Sequence, residues 1–539
     1  MALVTPRNRP SRNSWADYLY PYGARRLAGM AAGGDRCMRT LLALPFLALA
    51  AALSQPAPAA EPARSGVSVL GNHRDLERSG HYIVPSLTFA AARRMHRDAR
   101  FRAPLEGPIY AQPLYWLPVG GGRPLLIAVS ERDVAYALDA ASGAVTWRRS
   151  LGMPTARGAL PCGNIGPLGI TGTPVIDERR AALYLDAVTG GDNAEAVRHL
   201  VYALSLKDGA VLPGWPVDVE QALHRAGKSF HARNQNQRGA LALVGDRVYV
   251  PYGGHFGDCA SYRGWVIGIA LGDPRDIVSW STRAAGGGIW APGGIASDGK
   301  ALYVTTGNTM GARDWGDGEA LIRLGLDLSY GRQPAEYFAP PDWRALDEAD
   351  LDLGATNPIL FDLPGGKPSA LALTLGKDGK AYLLDRHNLG GIGGSLRAVT
   401  VARNQIHASP AAFPTKDGVY VVFQADGAGC PGGKQGDLTA LKITPGAPPD
   451  LRVAWCADEH GEGAPIVTTT DGRSDPIVWV VGAEGDNRLR GFRGDTGEPL
   501  FDGGGAAEAM PMVQHFQTPI AAGRHIYVAS DSGLYAFAP

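Results

Sequence analysis

The chain has no surplus of charge of either sign: 52 Lys and Arg stand against 52 Asp and Glu in 539 residues. A protein that displaces counterions from nucleic acid carries a basic excess, so that class finds no support. Cysteine is scarce, with five residues, and none of them forms a CxxC, CxxCH or adjacent Cys-Cys pair. Zinc-ribbon, thioredoxin-like and c-type haem readings therefore lack their spacing. GxSxG, HExxH and GxxxxGK[ST] are also missing, so no motif names an esterase nucleophile, a zincin or a phosphate cradle. The one sustained apolar run, residues 41–53, is shorter than the roughly 20 residues a membrane helix needs.

That run belongs to a leader. Residues 1–37 read as an upstream extension ahead of a start at Met38, and residues 38–59 read as a signal peptide. One Arg precedes the apolar run, and Ala57-Pro58-Ala59 gives small residues at a cleavage point after Ala59. No Cys follows for a lipid anchor, so a soluble, periplasmic or secreted protein is expected. Residues 60–94 form a lead-in segment and residues 95–539 the folded body.

Turn formers are abundant, with 72 Gly and 40 Pro. Between them the body repeats itself. Eight short apolar strands begin behind a polar or Gly-containing step, at Gln112, Thr173, Arg238, Ala291, Asn357, Ser409, Ala464 and Thr518. The spacing of these starts runs from 52 residues (Asn357 to Ser409) to 66 (Ala291 to Asn357). Each start is followed by further short strands and often by a turn ending in an aromatic residue. A period near fifty with four strands per unit predicts an all-β protein, a single β-propeller of eight four-stranded blades. Seven is the alternative count if one degenerate unit is misread. The last unit stops at Pro539 without a fourth strand, and residues 95–105 (MHRDARFRAPL) are expected to supply it and close the ring.

The turns between first and second strands are short, as in VGDRV at Val244. The opposite face carries GGHFGDCASYRG, GNTMGARDWGDGE and QADGAGCPGGKQGD, with long linkers at 217–237 and 337–356. Long loops on one face of a rigid scaffold mark a binding face. The four cysteines left after the leader, Cys162, Cys259, Cys430 and Cys456, all fall there. Three connectivities exist, and Cys162–Cys259 with Cys430–Cys456 is the expected one.

Innermost strands begin at this face, so polar residues near each start point to a central funnel. The candidates for ligand or cofactor binding are Gln112, Asn236, Arg238, Trp290, Asn357, Lys377, His407, His515 and Gln517. Arg238 and Lys377 suit an anion, and Trp290 among glycines suits a stacking platform. His407, His460 and His515 enter three consecutive blades, a pattern read as carbonyl satisfaction rather than a metal site. Asp314, Asp317 and Glu319 are read as a solvated acidic loop. No catalytic residue and no metal ligand is assigned.

The segment ALDAASGAVTW, residues 137–147, resembles the tryptophan-docking repeat AxDxxTGxxxW, with Ser142 in place of Thr; GDTGEPLF is a weaker copy. With GITGTPVID, NQNQRG, GGGIW, TGN and GKDGKAYLLDRHNLGG, the chain resembles exported pyrroloquinoline quinone (PQQ)-like repeat propellers of the quinoprotein alcohol-dehydrogenase-like superfamily. The resemblance implies two functions. The first is a non-catalytic binding or scaffold module that takes a protein or polymer partner, or a small molecule in the funnel. The propeller lipoprotein of outer-membrane assembly is the analogue for that role. The alternative is a dehydrogenase that oxidises an alcohol or sugar through PQQ and calcium. The adjacent cysteine pair and haem motif of many such enzymes are missing here, so the binding role is placed first, with no cofactor assigned.

Overall fold

Short runs of β-branched and aliphatic residues, cut by Asp- and Gly-containing turns, form strands because both faces can be buried against neighbouring sheets. Blade 1 shows the plan in Leu114–Trp116, Leu125–Ser130, Val134–Asp139 and Val145–Ser150, hydrogen-bonded in that order. Its second strand is buried at every position, whereas the outer strand is exposed at four of its six residues and buried only at Trp147. The computed structural model describes residues 67–539. The expected extension 1–37 and signal peptide 38–59 lie outside the described residues. Eight such antiparallel sheets follow one another, so the count is eight rather than seven.

Blades lock to each other through the repeat motif. In blade 1 Asp139 Oδ1 accepts from the backbone of Ala141 and Ser142 and from the Ser142 hydroxyl, which fixes the turn before Gly143. Trp147 then donates its indole N–H to Leu206 O of blade 2 at 2.8 Å. Its ring covers Gly209, where φ is +68° and a Cβ would lie 2.7 Å from a ring carbon. Trp455 repeats the contact on blade 7, with 2.8 Å to Gly494 O and Gly497 beneath the ring. Gly209→Val meets both the left-handed backbone and the indole. Such a change costs about 2–4 kcal/mol, read as a lowered urea midpoint.

Blade 8 has three strands of its own, Ile520–Ala522, His525–Ser530 and Gly533–Ala538. His96–Arg97 and Ala103–Pro104 both pair antiparallel with Gly533–Ala538, which closes the ring as residues 95–105 were expected to do. Arg102 N–H to Ser142 O at 2.9 Å carries the seam to blade 1.

The lead-in does more than reach that seam. Residues 69–84 curl through the axis and pair with the inner strand of one blade after another. Val69 bridges Tyr115 of blade 1, and Leu70 O accepts from Ile176 of blade 2. Arg78 reaches Leu241 O of blade 3; Leu76, Glu77, Ser79 and Gly80 carbonyls accept from Ser297, Leu360, Ala412 and Val467 of blades 4 to 7. His81–Ile83 then runs parallel to Ile466–Thr469. The inner edge of a blade offers unpaired N–H and C=O groups to the channel, and the plug satisfies them. Its tight curl puts His73, Arg74 and Arg78 at positive φ.

Both disulfides have the expected pairing: Cys162–Cys259 (Cα–Cα 6.0 Å) and Cys430–Cys456 (5.8 Å). No helix among the described residues is long and apolar enough to cross a membrane.

Candidate active site at the funnel mouth

Where the inner strands begin, Gln112, Arg238 and His515 line one cavity with Asn72, Tyr110, Thr171 and Thr173. Asn72 comes from the plug, which therefore forms part of the cavity wall. Gln112 anchors that plug: its Oε1 accepts from His73 N at 2.9 Å and its Nε2 donates to Gly71 O at 3.2 Å. The cavity has about 410 Å³ of empty space counting the part open to solvent, but only about 20 Å³ takes the centre of a water molecule. His515 bonds Glu484 and sets its ring edge-on to Tyr110 at 5.3 Å.

Trp290 stands beside this cavity. Its ring centroid lies 5.3 Å from the Arg238 guanidinium carbon, 5.2 Å from Lys377 Nζ and 6.4 Å from the His407 ring. Glycines make the room: a Cβ on Gly307 would lie 3.2 Å from Trp290 Nε1 and 2.9 Å from Asp352 Oδ1. Three further sequence candidates are tied into the scaffold, each with its side-chain amide oxygen buried and without a hydrogen-bond partner among the described residues. Asn236 pairs its backbone with Gly253, Gln517 donates to Ile109 O at 3.0 Å, and fully buried Asn357 donates to Pro358 O.

Around Lys377 the structure gathers acids that sequence reasoning passed over. Lys377 Nζ lies 2.7 Å from Asp352 and 3.2 Å from Asp350. Asn308 ties the group together: its backbone N–H donates to Asp352 Oδ1 at 3.1 Å and its amide to Asp258 Oδ2 at 2.9 Å. Its own Oδ1 is buried with no hydrogen-bond partner among the described residues. Tyr262 O–H donates to Asp258 Oδ1 at 2.5 Å. Cys259, next in the chain, is bound to Cys162, so one disulfide pins the loop that presents Asp258.

Burial and mutual repulsion set the charges. Burial pushes Asp258 up to about 6. Burial, then the neighbouring Asp352, raises Glu319 well above the usual carboxylate range. Burial works against the Lys377 ammonium, but Asp352 and Asp350 outweigh it and raise its pKa. Burial lowers the Arg238 guanidinium. Perturbed groups converging beside an aromatic platform make this a candidate functional site.

The loop 307–319 corrects one expectation. Asp314 is exposed, but Asp317 and Glu319 are fully buried rather than solvated. Arg283 and Arg332 pair with Asp317 at 3.2 and 3.3 Å, and Glu319 Oε2 accepts from Leu353 N at 2.7 Å. The signals that would have exposed the cluster were the Asp-x-Asp at 350–352, the Asn of TGN and the acid beside Cys259.

No known family pattern matches the chain, and no curated protein matches its sequence. Solved structures do match the fold. The quinohemoprotein alcohol dehydrogenase ADHIIG of Pseudomonas putida HK5 is 13% identical, with TM-score 0.60, over 87% of this chain and 79% of that one. The quinohemoprotein alcohol dehydrogenase of Comamonas testosteroni is 13% identical, with TM-score 0.59, over 87% and 80%. A europium-containing methanol dehydrogenase is 14% identical, with TM-score 0.56, over 88% and 99%. The chain is an eight-bladed β-propeller with the fold of the quinoprotein alcohol dehydrogenases.

Proposed function

We propose that the funnel mouth binds a planar quinone of the PQQ class with a hard, oxygen-loving cation, and that the exported protein oxidises an alcohol or a sugar. One observation carries this reading: Trp290 lies within 5.3 Å of two cations, beside an all-oxygen set of Asp258, Asn308, Asp350 and Asp352. The donor chemistry fits. Hard cations take six to eight oxygen ligands, and the orphaned Asn308 Oδ1 is an oxygen with its lone pairs unused. The free space is small, so loading requires side chains at the mouth to swing aside.

In this reading Trp290 offers the face on which a flat ring stacks, and Arg238 and Lys377 pair with its carboxylates and oxygens. Asp258, Asn308, Asp350 and Asp352 would hold the cation once the Lys377 ammonium, which stands 2.7 Å from Asp352 and 3.2 Å from Asp350, turns from them toward the quinone. The bound quinone supplies the two-electron acceptor that no side chain offers. A carboxylate of the set takes the substrate hydroxyl proton, and Tyr110, Thr171 and His515 line the approach. Dehydrogenase activity and the europium of the methanol enzyme are features of proteins with this fold, and they support the same chemistry here. The two disulfides support an oxidising compartment, periplasmic or extracellular. Partner capture at the rim gives a buried acid cluster no task, so the binding-module reading is set behind this one.

The test is cofactor retention. Protein incubated with PQQ and Ca²⁺ and stripped of free cofactor is expected to keep quinone absorbance and to reduce dye with some member of an alcohol and sugar panel. Trp290→Ala and Arg238→Ala should each weaken retention at least about tenfold with an unchanged far-UV spectrum. Wild-type protein that retains no quinone would refute the proposal.

A further inference from the structure

The linker between blades 2 and 3 carries a second set of ligand-type side chains, none of them among the funnel acids. Glu220 and His224 lie four residues apart on the helix Val219–Arg225, hence on one face. His231 approaches from the chain beyond it. Glu220 Oε1 lies 3.8 Å from His224 Nε2 and 3.7 Å from His231 Nδ1, and one ligand atom from each of the three falls within 4.8 Å of the others. Ligands at about 2.0–2.2 Å around a tetrahedral ion stand roughly 3.4 Å apart, so the two Glu220 distances need to close by a few tenths of an ångström, and the imidazole nitrogens, within 4.8 Å of each other, by rotation of two half-exposed side chains.

The backbone that presents them is held from several sides. Asp218 caps the helix by accepting from Gln221 N at 3.0 Å, and Val219 and Leu223 anchor its other face in the core. Phe230, fully buried, packs edge-on against His199, Tyr252 and Trp265 and so fixes the position of His231. Lys228 Nζ reaches Ser279 O at 3.0 Å on blade 3. His224 Nε2 bonds Phe230 O at 2.8 Å, and His231 Nε2 bonds the Ser229 hydroxyl at 3.1 Å. The latter is the outer bond that orients a ligating imidazole, while a metal at His224 Nε2 replaces the bond to Phe230 O. Both histidines are about half exposed, with side-chain values of 47% and 59%, so an ion reaches them from solvent.

We infer that Glu220, His224 and His231 form a site for a borderline transition dication of the zinc class, with water completing the coordination. Two imidazoles and one carboxylate select such ions over the hard cations suited to the funnel. The site staples the helix Val219–Arg225 to the segment leading into blade 3. It stands independently of the redox reading, because none of its ligands contributes to the funnel.

The test uses tag-free, chelator-treated mature protein. Calorimetric titration with Zn²⁺ is expected to show one site at micromolar or lower concentration. Co²⁺ should give the visible absorbance of low-coordinate nitrogen and oxygen ligation. His231→Ala and His224→Ala should each weaken Zn²⁺ binding at least tenfold, leave Ca²⁺ binding unchanged and preserve the far-UV spectrum. Equal Zn²⁺ affinity in the double variant, or no Zn²⁺ binding at 100-fold excess over protein, overturns the assignment.

Discussion

A mature chain shortened to begin at Pro85 is expected to lose most of its folding stability, although every blade strand except His81–Ile83 is left in its sequence. The reason is the plug. Its backbone, with the Arg78 side chain, satisfies inner-edge groups on seven blades, at Tyr115, Ile176, Leu241, Ser297, Leu360, Ala412 and Val467. Each such bond contributes about 1 kcal/mol net, so together they approach the roughly 5–15 kcal/mol by which a protein is stable. Val69, Tyr82 and Val84 are buried in the same segment. Urea unfolding followed by far-UV circular dichroism and tryptophan fluorescence checks the loss; a truncated chain with an unchanged midpoint would show that the ring holds itself.

A gentler probe works through pH. His73 is fully buried in the plug, and burial lowers its pKa from 6.5 to about 4. The unfolded chain therefore takes up a proton below about pH 6.5 that the folded chain refuses until about pH 4. The stability His73 contributes is present above 6.5 and is lost as pH falls across that window, by up to about 3 kcal/mol. In His73→Gln this fall should be shallower. Buried acids such as Asp133, raised by burial to about 9, slope the other way but cancel between the two proteins.

The architecture was legible because a propeller writes its period into the chain. Eight starts, the Asp139–Gly143 turn and the closing segment 95–105 all follow from local patterns that each blade repeats. The plug was not legible, since residues 69–84 pair with seven different blades and resemble none of them. Their irregular curl depends on His73, Arg74 and Arg78 at positive φ, a conformation that these residue types do not announce. The site was half legible for a similar reason. Arg238 and Trp290 sit at strand starts, so the period located them, while Lys377 stood out as a cation in the GKDGK turn between Ala370–Leu375 and Lys380–Asp385. Asp258, Asn308, Asp350 and Asp352 sit in loops of three different lengths, and only the closed ring brings them together. Their chemistry also misled: acids in a Gly-rich loop read as solvated, and the arginines that bury Asp317 lie 34 residues upstream and 15 downstream.

The acid cluster leads to the second large effect. Lys377 is the ammonium between Asp350 and Asp352, and 5% of its side chain is exposed. Lys377→Met keeps the packing volume but removes the charge, leaving Asp352 buried beside Glu319 and Asp350. Breaking a buried pair on one side costs about 3–5 kcal/mol, because the remaining charge has no compensation. Asp352→Asn in the same background should recover much of the loss, with a coupling of about 1–3 kcal/mol. The redox reading adds a sharper expectation: millimolar Ca²⁺ should stabilise Lys377→Met more than wild type, since a cation among these oxygens replaces the missing ammonium. Denaturation curves of the four proteins of this cycle, with and without Ca²⁺, decide both points. If Lys377→Met unfolds at the wild-type midpoint, the acids are not held against one another as the geometry requires. If it is destabilised but indifferent to Ca²⁺, the cluster is a structural ion network rather than a cation site, and the oxygen set no longer argues for a redox centre.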